Sequence, residues 1–79
     1  MFYDYVLCSK KDHKRYIGLT NNLEKRLAQH NAGLVKPTKF RRPLELIYLE
    51  EFESRSSAAM REKFFKSGFG RDFLNSKGI

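Results

Sequence analysis

The sequence predicts an α+β fold in which a small three-stranded antiparallel sheet is flanked by helices, in the order β-β-α-β-α-α. Two kinds of pattern favour this class. Aromatic and β-branched segments, which are typical of strands, occur near the N-terminus and in the middle of the chain. Apolar residues at helical spacing follow the second and the third of these segments. With 79 residues the chain has room for one domain, which we expect to span residues 1–79.

The first two strands are predicted to form a hairpin. Residues 2–8 (FYDYVLC) and residues 15–19 (RYIGL) both have the strand pattern, and a polar, lysine-rich turn separates them. This turn is longer than the two-residue connection that hairpins favour. Tyr5 and Tyr16 are therefore expected on adjacent strands.

A first helix is predicted directly after the hairpin. Asn21 is expected as its N-cap, because Glu24 follows three residues later in a capping-box-like arrangement. Leu23 and Leu27 then form a narrow apolar stripe at helical spacing. The helix is expected to end just before Gly33, the residue type that most readily adopts the left-handed conformation after a helix.

The second half of the chain is predicted to contain a basic loop and the third strand. Residues 34–43 hold both prolines and four cationic side chains, and they indicate a loop. Residues 44–52 (LELIYLEEF) alternate as a strand does and carry the densest negative charge of the chain. This acidic strand leaves open a third function, that of an adaptor that binds proteins. Such an adaptor would show no affinity for DNA at low salt.

Two further helices are expected after the third strand. Ser54 is predicted to cap a helix over residues 55–67. Gly68 or Gly70 is expected to break that helix, and a short last helix over residues 71–76 should follow.

The composition restricts the classes of function. The chain carries 16 Lys and Arg against 9 Asp and Glu, a net charge of +7, which favours an acidic partner such as nucleic acid. Cys8 is the single cysteine, so neither an internal disulfide nor a four-cysteine zinc site can form. No signal peptide and no membrane span of about 18 apolar residues is predicted. A reduced, cytoplasmic location fits this composition.

Two features of the helices are unusual for purely structural residues. Arg26 and His30 are four positions apart on one helix and share a face, which suggests a common anion or, alternatively, a solvated surface. Glu62 lies in the middle of a predicted helix. Its spacing favours a surface pair with Lys66 over an inward carboxylate at a site. Cys8 is expected to be a core residue, because it lies in an apolar strand.

The hairpin resembles the paired motifs of the GIY-YIG nuclease superfamily. Residues 16–18 read YIG, whereas residues 3–5 read YDY in the place of Gly-Ile-Tyr and keep only the tyrosine. Residues 19–33 (LTNNLEKRLAQHNAG) resemble the family's run of Thr, Asn-Leu, Arg and His-Asn-x-Gly. Residues 58–66 (AAMREKFFK) resemble its metal-binding helix, with Glu62 at the acidic position. The subgroup most similar to this chain is that of short, stand-alone bacterial members, which resemble the N-terminal domain of excinuclease C.

The resemblance implies an endonuclease that hydrolyses phosphodiester bonds with one divalent metal ion, Mg²⁺ or Mn²⁺. Glu62 would be the sole protein ligand of the metal, and Arg26 would stabilise negative charge that develops on the phosphate. Tyr5 is the expected general base, with a pKa that nearby cations and the metal would lower. His30 competes for the role of base or acts as a relay, and Tyr16 would orient phosphate or water.

The remaining predicted residues either support the site or bind the phosphates of the nucleic acid. Gly18 would allow a close approach at the site without a Cβ clash, and Asn75 is carried over as a supporting residue. Phosphate contacts are expected from the hairpin and from the basic loop, at Lys14, Arg15, Lys36, Lys39, Arg41 and Arg42. The predicted substrate is DNA rather than RNA. Cleavage would be structure-selective or weakly specific, in repair or turnover, and a protein partner would supply targeting. The alternative is a catalytically weak module that binds nucleic acid.

Overall fold

The computed structural model describes all residues from Met1 to Ile79 and has the predicted architecture. Three strands and three helices follow one another in the order β-β-α-β-α-α, which confirms the α+β class. The elements are β1 (Phe2–Ser9), β2 (Arg15–Thr20), α1 (Leu23–Asn31), β3 (Leu44–Phe52), α2 (Arg55–Phe65) and α3 (Gly68–Ser76). None of the helices is long and apolar enough to cross a lipid bilayer.

The sheet is antiparallel and has the strand order β2-β1-β3, so β1 is central. Tyr5 in β1 pairs with Gly18 in β2 and with Leu49 in β3. Successive residues of a strand point to opposite faces, so Tyr5 and Leu7 lie on one face, and Val6 lies on the other. The two edges of the sheet differ in charge, because β3 carries the acidic residues of the alternating segment.

Two small hydrophobic clusters cover the two faces of the sheet. Tyr5, Leu7 and Leu44 form the first, against which the apolar stripe of α1 packs through Leu23 and Leu27. The second cluster lies beneath α2 and α3, and its fully or nearly fully buried members are Val6, Phe65 and Leu74. The helices are therefore divided between the faces, with α1 on one side and α2 with α3 on the other.

The first helix begins one residue later than the sequence predicts. Asn22, not Asn21, is the N-cap, and its side-chain oxygen accepts a hydrogen bond from the backbone N–H of Lys25 at 3.1 Å. The hydroxyl of Thr20 accepts from the backbone N–H of Asn22 at 3.1 Å and so holds the capping residue in its extended conformation. The predicted end is confirmed, since Gly33 has a φ of +79° directly after the helix.

The boundary between α2 and α3 differs from the prediction. We expected a helix over residues 55–67 that a glycine ends, but α2 ends at Phe65 and α3 already begins at Gly68. Ser67 separates the two helices, because its hydroxyl accepts from the backbone N–H of Gly70 at 3.3 Å and caps α3. A serine cap here outweighs the low helix propensity of two glycines in the first turn of α3.

Gly70 is required for the contact between α3 and the end of α2, whereas Gly68 is not. A methyl group at position 70 would overlap the carbonyl oxygen of Phe64 and the backbone of Phe65, while position 68 faces open space. Gly70→Ala is therefore expected to lower the free energy of unfolding by about 1–3 kcal/mol. Gly68→Ala, the matched control, should leave it unchanged or raise it by about 0.5–1 kcal/mol. Urea denaturation of both variants tests this, and equal effects would contradict it.

The basic loop over residues 34–43 is more ordered than a loop prediction implies. Lys36–Thr38 form one turn of 3-10 helix, with a proline in its first turn. The side chain of Thr38 is fully buried and hydrogen-bonds His30, so the loop is fastened to α1 at its middle.

Candidate active site

Three of the predicted site residues meet at the hydroxyl group of Tyr5. The Tyr5 hydroxyl is 2.9 Å from Nε2 of His30, and Nε of Arg26 donates to it at 3.4 Å. Both partners come from the inward face of α1, where the four-residue spacing aligns them one above the other. Gln29 steadies the arginine, since its Oε1 accepts from Nη1 of Arg26 at 3.3 Å.

His30 is a buried, neutral imidazole and not the second half of an anion site. Burial and the adjacent charge of Arg26 lower its pKa to about 4. The expectation that Arg26 and His30 share an anion is therefore wrong for His30, which is fully enclosed. The neutral form is favoured because a charged imidazole would lose its hydration without gaining an acidic partner.

The hydrogen bonds of Thr38 determine the orientation of this imidazole. The Thr38 hydroxyl donates to the carbonyl of Val35 at 3.4 Å, so its oxygen is free to accept from Nδ1–H of His30 at 2.7 Å. We assign the tautomer from this network. Nε2 then carries the lone pair and accepts a hydrogen bond from the Tyr5 hydroxyl. The arrangement is a chain of donors running from Tyr5 through His30 to Thr38.

The pKa of Tyr5 is raised, which corrects the expectation that nearby cations lower it. Burial of the phenol is the largest cause, since the residue is 1% exposed, and the charge of Glu62 acts in the same direction. The hydrogen bond and the charge of Arg26 oppose this shift without overcoming it. His30 contributes no positive charge because it is neutral. The phenol therefore stays protonated at rest, with an acceptor already in place.

Tyr16 and Gly18 of the second motif both pack against residues of the candidate site. The Tyr16 ring packs edge-on against His30 with the centroids 5.1 Å apart. Gly18 lies directly under the ring of Tyr5, and a Cβ at this position would overlap that ring. The close approach that the sequence predicts at Gly18 is thus made by a side chain of the site itself.

Glu62 lies on α2, across the sheet from α1. Its Oε2 forms an ion pair with Nζ of Lys66 at 3.2 Å, as the spacing favoured. Its negative charge also raises the pKa of Asp4 and, as the smallest of the causes, that of Tyr5. The surface pair with Lys66 that the spacing favours is thus present, and the role of Glu62 as a metal ligand stays a prediction.

Asp4 is a carboxylate near the site that the sequence patterns did not identify. The residue is fully buried, and neither of its side-chain oxygens has a hydrogen-bond partner. Burial is the largest cause that raises its pKa to about 6, followed by the charges of Glu62 and Glu50. An acidic residue in an otherwise aromatic and apolar strand was the available signal.

Two clefts lie along β2, and together they are called the groove along β2. One part of it, with a volume of about 340 Å³, includes Arg26, Lys25 and Arg55 among its lining residues. A second part, of about 310 Å³, includes Tyr16, Lys66 and Arg71. Sequence reasoning missed Lys25, Arg55, Lys66 and Arg71 as contributors to a basic surface, because only the tertiary structure places helices α1, α2 and α3 along one strand edge.

The predicted phosphate contacts divide into free and occupied cations. Lys14, Lys36 and Lys39 are exposed and make no side-chain hydrogen bond or ion pair, whereas Arg42 is exposed but donates to the carbonyl of Lys39. Arg41 pairs with Asp12 at 3.1 Å. Arg15 is also occupied, since its Nη2 donates to Oδ1 of Asn75 at 2.6 Å and to the carbonyl of Ile79. Asn75 thus binds α3 to the beginning of β2 and does not meet the tyrosines.

Comparison with known proteins identifies the family. The model of the GIY-YIG catalytic domain matches residues 1–75. This chain belongs to the GIY-YIG family. Its membership in a family of nucleases implies a nucleic-acid substrate, and GIY-YIG nucleases generally depend on divalent metal ions.

Relatives of this GIY-YIG domain are small proteins designated UPF0213. One from Clostridium perfringens is 46% identical over 67 residues, which are 84% of this chain and 71% of that protein. One from Staphylococcus haemolyticus is 50% identical over 65 residues, which are 80% of this chain and 79% of that protein. The solution NMR structure of a UPF0213 protein from Bacillus halodurans has a TM-score of 0.58 and 31% identity. The match covers 96% of this chain and 84% of the Bacillus halodurans chain.

Proposed function

We propose that this GIY-YIG domain is a metal-dependent endonuclease that hydrolyses DNA phosphodiester bonds. It would select its substrate by DNA structure or with weak sequence specificity, and it would act in DNA repair or turnover. The meeting of Tyr5, His30 and Arg26 at a single hydroxyl carries this proposal. A purely structural tyrosine would need one hydrogen-bond partner. This one has a proton acceptor and a cationic donor on the same oxygen, beside a groove lined by basic side chains.

The residues present fit a lightly held divalent metal ion. No group of three or more His, Cys, Asp and Glu side chains forms a closed metal site. Glu62 is a carboxylate whose side chain is 24% exposed and whose one ion-pair partner is a flexible lysine. Mg²⁺ keeps several waters and is often held by one or two carboxylates plus substrate phosphate oxygens. Glu62 would hold such an ion, which would supply Lewis-acid stabilisation of the phosphate and of the leaving oxygen.

The chain's own residues would move the proton and balance the charge. Tyr5 would take a proton from the attacking water while its own proton passes to Nε2 of His30, 2.9 Å away. Negative charge developing on the phosphate would raise the proton affinity of His30 and so drive this transfer. Arg26 would shift its guanidinium from Tyr5 toward the non-bridging phosphate oxygens, and this movement would open the hydroxyl to water. Tyr16, half-buried at the groove, would orient phosphate or water.

Cleavage of supercoiled plasmid and of a branched DNA in Mg²⁺ tests the proposal. Arg26→Ala and Glu62→Gln are each expected to lower the cleavage rate by roughly 100- to 1,000-fold. Glu53→Gln is the matched control, because Glu53 is an exposed carboxylate that makes no ion pair. It should cleave as the unmodified chain does.

The alternative function gives a different pattern in the same assay. A module that only binds nucleic acid would retain affinity for DNA in the unmodified chain and in all three variants. It would show no nicking in Mg²⁺ or Mn²⁺. That result would overturn the proposed endonuclease activity.

A further inference from the structure

A second basic cleft lies at the C-terminal end of α1, apart from the groove along β2. Its volume is about 510 Å³, and its lining residues are Lys11, Asn31, Lys39, Phe40, Arg42 and Pro43. Three of them are cations and none is a carboxylate. The ion pairs of the chain are Arg41–Asp12, Arg61–Glu50 and Lys66–Glu62, so the cations of this cleft have no acidic partner.

Phe40 presents an aromatic ring to solvent within this basic surface. The residue is 76% exposed, and Nζ of Lys39 lies 5.5 Å from the centroid of its ring. An aromatic ring among unpaired cations is the combination that surfaces for single-stranded nucleic acid use. Bases stack on the ring while the cations follow the phosphates. Duplex DNA, in which the bases are already stacked, offers nothing to the ring.

The cleft is held in shape by contacts with the backbone. Nε of Arg42 donates to the carbonyl of Lys39 at 2.8 Å, and Nζ of Lys11 donates to the carbonyl of Phe40 at 3.2 Å. The guanidinium of Arg42 lies over Gly33, where a methyl group would stand 2.8 Å from Nη1. These contacts fix the segment on both sides of the ring, so that the aromatic platform is formed before any ligand binds.

The cleft adjoins the candidate active site. Asn31, one of its lining residues, directly follows His30 and exchanges two hydrogen bonds with the backbone of Leu44, at 2.8 Å and 3.1 Å. On the other side, Nη2 of Arg41 donates to the carbonyl of Arg15, the residue before Tyr16, at 3.4 Å. The segment that forms the cleft is therefore attached directly to α1 and to the beginning of β2, the two elements beside the candidate active site.

We propose that the Phe40 cleft binds an unstacked nucleotide of single-stranded DNA, with the base on the Phe40 ring and the phosphates at Lys39 and Arg42. The proposal rests on the proposed function for its view of the neighbouring groove as the place of cleavage. It adds that the preferred substrate has a single-stranded segment beside the scissile bond.

The test is a binding measurement in EDTA, in which no cleavage contributes. The probes are fluorescent oligo(dT), the same oligomer with abasic sites, and a duplex of equal length. Phe40→Ala is expected to weaken binding of oligo(dT) by roughly 5- to 100-fold, and Phe40→Trp should retain it. Neither change should alter binding of the duplex or of the abasic oligomer by more than about twofold, because neither probe offers a base to stack.

A charge variant separates stacking from attraction to the phosphates. Lys39→Ala should weaken the binding of all three probes alike. It should also reduce the slope of log affinity against log salt concentration by about one. Quenching of the Phe40→Trp fluorescence by oligo(dT), but not by the abasic oligomer, is the second expected sign of stacking. Equal losses for oligo(dT) and duplex in Phe40→Ala, or no loss for either, would overturn the proposal. Neither result would affect the plasmid assay, which tests the endonuclease separately.

Discussion

Replacing Tyr5 with phenylalanine is expected to lower the rate of DNA cleavage by roughly 100- to 10,000-fold. The change removes one oxygen atom, the one that both His30 and Arg26 contact, and keeps the ring that covers Gly18. Single-turnover cleavage of plasmid in Mg²⁺ measures the effect. The expected loss is in the chemical step, so the affinity for DNA in EDTA should remain within about twofold.

Tyr3→Phe is the matched control for this variant. Tyr3 lies two residues away on the same face of β1, is only half-buried, and its hydroxyl makes no hydrogen bond within the chain. It should cleave normally. Tyr5→Phe leaves Nε2 of His30 without its partner in a buried place, so we also expect a loss of stability of about 1–3 kcal/mol. Assays well below the unfolding transition keep this loss separate. Cleavage by Tyr5→Phe at a rate near that of the unmodified chain would contradict the assignment of Tyr5 as base.

Asp4→Asn is expected to stabilise the protein by about 1–3 kcal/mol at pH 7.5. The carboxylate of Asp4 is fully buried and has no hydrogen-bond partner, and the charges of Glu62 and Glu50 act against its ionisation. Asparagine keeps the shape of the side chain, removes the charge and replaces one acceptor oxygen with an NH₂ group. The free energy of unfolding, from urea denaturation at constant pH, is the measurement.

The stabilisation by Asp4→Asn should depend on pH in a defined window. The pKa of Asp4 is raised from 3.8 to about 6 in the folded protein. When the pH rises through this window, the unfolded chain releases the proton before the folded protein does, so the destabilising contribution grows with pH. The advantage of Asp4→Asn should therefore vanish below about pH 4 and be complete above about pH 6. A constant advantage from pH 4 to pH 7 would contradict a raised pKa for the buried Asp4 carboxyl group.

His30 acts in the opposite direction over the same window. Its pKa is lowered from 6.5 to about 4 in the folded protein. As the pH falls, the unfolded chain therefore binds a proton at His30 before the folded protein does. This contribution destabilises the protein at low pH, where that of Asp4 disappears. The two effects partly cancel in the unmodified chain. Difference curves between each variant and the unmodified chain are consequently more informative than the pH profile of the chain itself.

Much of the candidate site could be predicted because its signals are local. The spacing of Arg26 and His30 places both on one helix face, and the hairpin brings Tyr5 and Tyr16 to adjacent strands. Strand limits were predicted to within one residue, and both limits of the third strand, residues 44–52, are confirmed. The helix caps were less well predicted. Asn21 and Asn22 have the same chemistry, and only the hydrogen bond from the backbone of Asn22 to Thr20 selects the second as the cap.

The sequence by itself determined the family, the fold class and the residues that meet at the site, because these depend on periodicity, on turn chemistry and on motif residues at set spacings. Only the tertiary structure decided the protonation of the site. Burial makes His30 neutral and raises the pKa of Tyr5, since both side chains lose the water that would stabilise their charged forms. Packing also placed the cations of three separate helices along the edge of β2 and left Phe40 exposed among unpaired lysine and arginine side chains. These are long-range effects, and no local pattern encodes which charges and surfaces become neighbours.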